Sequence, residues 1–438
     1  MNWDQLLKEA TQHLQKYLQI QTVNPPGNEV KGAKFFKKIF DKESIPSQIF
    51  EPSPGRGNLL ATLKGNGKKK PVLLLSHIDV VPAERGRWEV DPFEGVIKDG
   101  YLYGRGTLDD KSMGIVEMMA LLILKRDGIP LQRDILFFAS ADEETGGRWG
   151  IQWGTENIPA LKESEFALNE GGYIILNEKG VPDRYEISNG QKVIFQIQLK
   201  AEGTSGHASM PHPNNPNVKL IRALVEVTKW ETPFKILPMV KKYFFKMAPK
   251  QTPEDRPYYE DIEKGLSDPV FAKKLTCNQI YNAMVRDTIS LTILQGGNKA
   301  NVIPSESTAT LDCRLIPGTS KDDFLREIKG KLGDEIEVKA IAESHSLLPS
   351  PLDTELIQAI KKFAAENDPD CPVVPLLLPG ATDSRFLRDK GITTYDFCPF
   401  RLTEKEIMRV HGNNERIALE NLKFGMRMLV KIMKEIAT

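Results

Sequence analysis

The chain has 438 residues, 40% of them hydrophobic and 27% charged, which is length for roughly two domains and a composition that excludes a disordered or fibrous protein. Lysine plus arginine and aspartate plus glutamate both number 59, so no net field favours a phosphate backbone or an anionic membrane, and no nucleic acid partner is expected. The four cysteines, Cys277, Cys313, Cys371 and Cys398, stand far apart without a CxxC pair, which argues against a disulfide framework and against a cysteine zinc site.

The first twenty residues carry Leu6, Leu7, Ala10, Leu14, Tyr17 and Leu18 at helical spacing among charges and glutamines, the pattern of a packed amphipathic helix rather than a signal peptide. No stretch approaches the roughly 20 apolar residues of a membrane span, so no membrane partner is expected and the protein is placed in the cytoplasm. From Pro71, PVLLLSHIDVVP is apolar and β-branched between two turn-rich stretches, and DILFFASA from Asp134 repeats the pattern; both read as buried strands. Between them, Met113, Val116, Met119, Ala120 and Leu122 fall at helical spacing, so this part of the chain is expected to be α/β, built on a βαβ unit.

The middle alternates differently. VIFQIQLKAEG, TISLTILQGG, STATLDCRLIP and EIEVKAIAES read as half-solvated strands, and NPNVKLIRALVEVTKW and KDDFLREIKGKLG as helices. The order is βαββαβ, one antiparallel sheet under two helices. Extra helices are expected in the lysine-, proline- and aromatic-rich segment from about Glu231 to Asp287. After Pro349, TELIQAIKKFAAEN and a long helix from Leu419 return to the first pattern. The expected fold is therefore an α/β domain with a mixed sheet and helices on both faces, interrupted by an inserted α+β domain: residues 1–193 and 347–438 form the first and 194–346 the second.

Polar residues stand in unusual places at the ends of the apolar runs. In HIDVVP, His77 and Asp79 are two apart on a strand and so on one face, although a satisfied core histidine would look the same. In YGRGTLDDKSMG, Asp109 and Asp110 precede the helix, where capping is the ordinary alternative. ADEETGG sets Asp142, Glu143 and Glu144 at the C-terminal end of a strand, where open α/β sheets hold their ligands; a solvated loop is the alternative. FALNEGG ends an apolar run with Glu170 beside two glycines that permit close backbone approach, and MRVHGNNERI places His411 after an apolar patch. Together these are the nitrogen and carboxylate donors that zinc prefers, with no thiolate.

HIDVVP, GRGTLDDK, DEETGG, NEGG, GHASMP, NVIP, GATDSR and HGNNERI resemble, in order and spacing, the motifs of the aminoacylase, carboxypeptidase G and succinyl-diaminopimelate desuccinylase superfamily. GRGTLDDK and GATDSR are most similar to its carboxypeptidase S and N-fatty-acyl-amino-acid hydrolase branch. The resemblance implies two zinc ions per chain, with Co2+ or Mn2+ as substitutes. His77 and Glu170 would hold one ion, Glu144 and His411 the other, with Asp109 bridging and Asp79 orienting His77. It implies Glu143 as the general base that takes a proton from the activated water and hands it to the leaving nitrogen. His207 of GHASMP would stabilise the oxyanion, reaching a partner's site in a homodimer. Asn301 of NVIP and Arg314 of DCRLIP would grip the substrate carboxylate, although Arg314 could instead serve a domain ion pair. Gly380, Thr382 and Arg385 would complete the substrate wall. Where many relatives have an aspartate before the ligand glutamate, this chain has Asn169, which bears on the hydrogen bonding around the ligand and not on ligation.

The implied activity is hydrolysis of an N-acyl-amino acid or small peptide beside a free carboxylate. The alternatives are a synthase that joins a fatty acid to an amino acid at the same site, and a non-catalytic carboxylate-binding relative. The inserted domain would act as lid and dimerisation domain, with a hinge near Lys192 and Ser346.

Overall fold

The two apolar runs form adjacent parallel strands of one sheet. Val72–His77 pairs with Ile135–Ser140 from Val72 opposite Ile135 to His77 opposite Ser140. The computed structural model describes residues 2–345 and 347–438, so the expected hinge at Ser346 lies outside the described residues. The chain divides into two compact units. One runs to Asn189 and takes in Ser350–Leu376 and Thr382–Thr438; the other is Gly190–Pro349 with Leu377–Ala381.

In the first unit the sheet runs from its edge strand Ser47–Ser53 through Arg56–Leu63, Ile135–Ser140, Val72–His77 and Phe166–Asn169 to Thr393–Asp396 and beyond. It is mixed: the first two strands pair antiparallel, whereas Val72–His77 is parallel to both its neighbours. Alternate residues of the central strands bury on opposite faces. Leu74 and Phe137 join a core built with the helices Trp3–Leu18, Val30–Lys42, Lys111–Arg126, Glu355–Asn367 and Leu419–Ala437, while Leu73, Leu75, Leu136 and Phe138 pack with Ile151, Ile158, Leu161 and Leu387. Helices thus cover both faces, as parallel strands with apolar residues at every position require. Lys111–Arg126 is buried over almost its whole length, Lys111 to Leu124, which is why its sequence is apolar beyond one stripe.

The second unit is the βαββαβ arrangement: Val193–Glu202, Pro216–Lys229, Thr288–Gly296, Glu306–Leu315, Lys321–Leu332 and Ile336–Glu343. Its four strands are all antiparallel, with Thr288–Gly296 at one edge and Ile336–Glu343 at the other. Its core gathers Phe195, Ile197, Leu199, Leu220, Leu224, Leu311, Phe324 and Ile328. The segment between its first helix and second strand holds further helices, among them Pro238–Met247, Pro269–Thr276 and Gln279–Val285. Lys192 is buried, with Nζ donating to the Arg286 carbonyl at 2.8 Å and to Thr288 Oγ1 at 3.0 Å. Among the described residues no helix is long and apolar enough to cross a membrane.

Close backbone approach decides the NEGG turn. A Cβ on Gly172 would stand 2.0 Å from the Glu186 carbonyl oxygen and 2.9 Å from that of Asp396, both rigid main chain. Gly172→Ala is therefore expected to destabilise the protein by about 1–3 kcal/mol through overpacking, read as a lower denaturant midpoint with unchanged slope in equilibrium unfolding.

Candidate active site

Three parallel strands end together, and the chain places its unusual polar residues just beyond them. His77 is the last residue of Val72–His77, Glu170 follows Phe166–Asn169, and the short helical turn Glu143–Thr145 follows Ile135–Ser140. Two loops complete the cluster: Asp109 lies ahead of Lys111–Arg126 and His411 ahead of the strand Arg416–Ala418.

The Asp109 carboxylate stands between two imidazoles, with Oδ1 2.8 Å from His77 Nε2 and Oδ2 2.9 Å from His411 Nε2. Glu170 Oε1 is 3.6 Å from the same nitrogen of His77, and Glu144 Oε2 is 3.2 Å from that of His411. The five side chains form two groups that share Asp109: His77, Asp109 and Glu170, and Asp109, Glu144 and His411. Within each group the donor atoms lie within 4.8 Å of one another. Neither aspartate caps the helix: Asp109 faces the imidazoles, and Asp110 makes no capping bond and buries both carboxylate oxygens without a partner.

Asp79 lies past the end of the strand rather than on it, and its carboxylate does more than face His77. The His77 Nδ1 contact at 3.0 Å is to the Asp79 carbonyl, with the carboxylate Oδ1 further away at 3.5 Å. The carboxylate instead accepts the backbone N–H groups of Glu143 at 3.2 Å and Glu144 at 3.1 Å, and Asn24 Nδ2 at 2.8 Å. Asp79 thus anchors the turn that carries both glutamates. Asn24 also reaches Thr145 Oγ1 at 2.9 Å, a contribution from the N-terminal region that no local motif announces.

Charge crowding governs the proton affinities. Burial, joined by the charge of Asp109, pushes the Glu170 carboxyl up to about 8. Burial also raises Glu143, reinforced by Glu170 and Asp383, and it raises Glu144 despite the bond to His411. Hydrogen bonds to Asp109 and Glu144 lift His411 to about 10. Burial disfavours charged His77, yet Glu170 and the bond to Asp109 raise it. Asp109, although buried, is held well below the usual carboxylate range by His411 and His77. Asp383, absent from the expected site, is buried and pushed up to about 7, with Oδ2 bonded to Ser140 and Oδ1 without a partner.

The donor set fits a pair of divalent cations. Two imidazoles and three carboxylates converge without a thiolate, and one buried oxygen, Glu144 Oε1, has no hydrogen-bond partner. The raised proton affinities of Glu170 and His411 mean that cations bound here would displace protons.

The other expected residues are distributed as follows. Arg385 donates to the carbonyls of Thr382 at 2.8 Å and Gly146 at 2.9 Å, and buried Thr382 turns its hydroxyl to Asp396. Gly380 is open, with nothing within 4 Å of an added Cβ. In the second unit, the two-residue pairing of Gly206–His207 with Val302–Ile303 brings His207 beside the segment of Asn301, whose carbonyl accepts the Ala208 N–H at 3.0 Å. His207 is exposed, with Nδ1 2.7 Å from Ser209 Oγ. Arg314 forms an ion pair within its own strand: Nε and Nη2 lie 2.6 and 3.2 Å from the Asp312 carboxylate, and Nη1 takes no part.

The chain is 29% identical over 426 residues to human N-fatty-acyl-amino acid synthase/hydrolase PM20D1, covering 92% of this chain and 82% of that one. It is 30% identical over 366 residues to a probable carboxypeptidase S-like protein 2 of Dictyostelium discoideum, covering 81% and 69%. Its fold matches the crystal structure of an M20 family metallo-carboxypeptidase from Sulfolobus solfataricus with a TM-score of 0.72 at 19% identity, over 98% of this chain and 99% of that one. The family model for peptidase family M20/M25/M40 matches residues 73–435, which takes in every side chain of the carboxylate–imidazole cluster, and the chain belongs to that family of hydrolases.

Proposed function

We propose that this hydrolase is a two-zinc enzyme that cleaves the amide bond of an N-acyl-amino acid, or of a small peptide, beside its free carboxylate. What supports this reading is the Asp109 carboxylate lying between the Nε2 atoms of His77 and His411, at 2.8 and 2.9 Å. In it, His77 and Glu170 would hold one ion and Glu144 and His411 the other, with Asp109 belonging to both groups, and Co2+ or Mn2+ could replace zinc. Two ions bound there would polarise the scissile carbonyl and acidify the attacking water.

The chain's own residues do the rest. Glu143 takes the water's proton and delivers it to the leaving nitrogen, a task suited to a carboxyl whose proton affinity is raised by burial beside Glu170 and Asp383. Asp79 holds the turn that fixes Glu143 beside Glu144. His207 stabilises the oxyanion, and Asn301 and Arg314 take the substrate carboxylate, Arg314 through the Nη1 left outside its pair with Asp312. Gly380, Thr382 and Arg385 belong to the substrate wall. The same site run backwards would condense a fatty acid with an amino acid, a direction suggested by the synthase/hydrolase name of the relative PM20D1. In water, hydrolysis dominates unless product is removed. A cytoplasmic setting accords with four cysteines that form no disulfide.

We further propose that the segment 194–346 serves as lid and dimerisation domain and that the enzyme is a homodimer. The edge strand Thr288–Gly296 leaves Leu291, Ile293 and Leu294 exposed, and Pro216–Lys229 adds the exposed stripe Val218, Ile221 and Val225. An exposed apolar edge of this kind is an invitation to pair. Gel filtration is expected to give a dimer, and Ile221→Lys with Ile293→Lys a monomer; a wild-type monomer with full activity would overturn the dimer.

Glu143→Ala should keep two zinc ions while turnover of N-acetyl, N-lauroyl and dipeptide substrates falls about 10²–10⁴-fold. Full activity in the metal-loaded variant refutes the mechanism.

Metal removal has a pH signature. Glu170 rises from 4.5 unfolded to about 8 folded and His411 from 6.5 to about 10. The stability each gives is complete below its unfolded value and is lost as pH rises through its folded value. Chelated protein should therefore melt at progressively lower temperature from about pH 4.5, where the Glu170 contribution begins to fall, to about pH 10, where that of His411 is lost. Zinc, which displaces those protons, should bind about tenfold tighter per pH unit for each proton released over the same interval. Melting curves of the chelated protein across that range check the first and calorimetric zinc titrations at pH 5.5, 6.5 and 7.5 the second, and chelator followed by zinc should abolish and restore activity.

A further inference from the structure

Glu415 has no place in the chemistry above, yet it is fully buried beside it. Its carboxylate gathers the backbone of the segment that ends at Asp109. Oε1 accepts the N–H of Leu108 at 2.7 Å and of Asp109 at 3.2 Å, and both oxygens lie 3.1 Å from the N–H of Gly106. Oε2 also receives Arg105 Nη1 at 2.6 Å.

Arg105 carries the connection onward. Its Nη2 donates to the carbonyl of His411 at 3.1 Å, and its guanidinium lies 5.4 Å from the centroid of the Trp88 ring. His411 needs such a hold. Its backbone has φ of +60°, a conformation that non-glycine residues adopt rarely, and its side chain is about half exposed, so packing alone does not set its direction.

The two cation groups are not supported alike. His77 ends a central strand and Glu170 directly follows another, so the first group has two of its three members on the sheet, and only the shared Asp109 comes from a loop. The second group joins Asp109, Glu144 and His411, all three of them on turns or loops. Asp79 anchors the turn of Glu144. For the other two, the ladder of bonds from Asp109 N–H through Glu415 and Arg105 to the His411 carbonyl is the connection.

We propose that Glu415 and Arg105 are a positioning pair that sets the separation of Asp109 and His411, and through it the affinity of the Asp109–Glu144–His411 cation site specifically. The proposal rests on the two-cation reading. Neither residue touches substrate; both act through the main chain of the ligands, as outer hydrogen-bond partners of metal sites do.

The test is zinc titration of the full chain against a competing chelator, for wild type, Glu415→Gln and Arg105→Lys. Glu415→Gln keeps the shape and removes the charge; Arg105→Lys keeps the charge and removes the second N–H that reaches His411. The weaker zinc step is expected to loosen about 10–100-fold in both variants, with the tighter step changed less than about threefold. Activity should return at saturating zinc, so the defect appears as a zinc requirement and not as a lower kcat. A purely structural role would lower the melting temperature of the chelated protein and leave both zinc affinities alone, and that result overturns the proposal, as does equal weakening of both steps. Should Glu415→Gln fail to fold, Arg105→Lys decides. A wild type that takes up fewer than two zinc ions defeats the two-cation reading itself; a wild type with two, matched by unchanged variants, defeats only the positioning pair.

Discussion

The Asp109 carboxylate held between two imidazoles is the contact on which the rest of the site depends. Around it stand Glu143, Glu144 and Glu170, in a setting mostly closed to water. Burial and the repulsion among carboxylates so placed raise the proton affinity of Glu170, and the bonds to Asp109 and Glu144 raise that of His411. That arrangement stores binding capacity for cations: every proton retained by crowding is one that a divalent ion releases on entry. Burial, reinforced by the charges of Glu170 and Asp383, likewise makes Glu143 a base of raised affinity.

A sheet edge makes the crowding possible. Parallel neighbours in register bring His77 opposite Ser140 and Leu74 opposite Leu168, so chain segments far apart in sequence finish at one level. Ligands that follow directly from strand ends inherit the sheet's rigidity, and those on loops need separate anchoring. Asp79 supplies it for the glutamate turn through two main-chain N–H groups. This division explains why buried polar residues that contact no reacting atom, such as Asn24, Asp79 and Glu415, surround the cluster so densely.

Much of this was legible in the residues, and the limit follows from physics. Apolar runs bounded by turns marked Val72–His77 and Ile135–Ser140, and alternation marked the four strands of the second unit, because burial on one or two faces writes directly into residue type. The outer strands Ser47–Ser53 and Arg56–Leu63 carry no such run; SQIFEPS is nowhere fully buried and includes a proline. The carboxylate–imidazole convergence was legible only from the motifs taken together, since singly His77 also reads as a satisfied core histidine, Asp109 and Asp110 as caps and ADEETGG as a solvated loop. Asp109 and Asp110 illustrate this: adjacent and chemically identical, one faces two imidazoles and the other buries two unpartnered oxygens. Bonds made to main chain leave no mark at all. The anchoring by Asp79, and the engagement of Arg385 with the carbonyls of Thr382 and Gly146, depend on where backbone passes and not on which side chain it bears.

Asn169 has a local physical reason. Thr393–Asp396 runs parallel beside Phe166–Asn169, and the register sets Asp396 directly against Asn169. Asp396 is fully buried and already saturated with donors: Ser188 Oγ at 2.9 Å, Arg388 Nη2 at 2.8 Å, Thr382 and Ser384. Asn169 Nδ2 donates to Ser384 Oγ at 3.0 Å, and that hydroxyl in turn serves Asp396. An aspartate at 169 would offer Ser384 a second acceptor where it has one proton to give, and would set two buried carboxylates at register partners with a single guanidinium for both. The amide resolves the conflict by supplying a donor. It also spares Glu170, the next residue, a further negative charge on a carboxyl already raised by Asp109. The asparagine thus follows from the neighbouring strand, which already carries a buried carboxylate at the facing position.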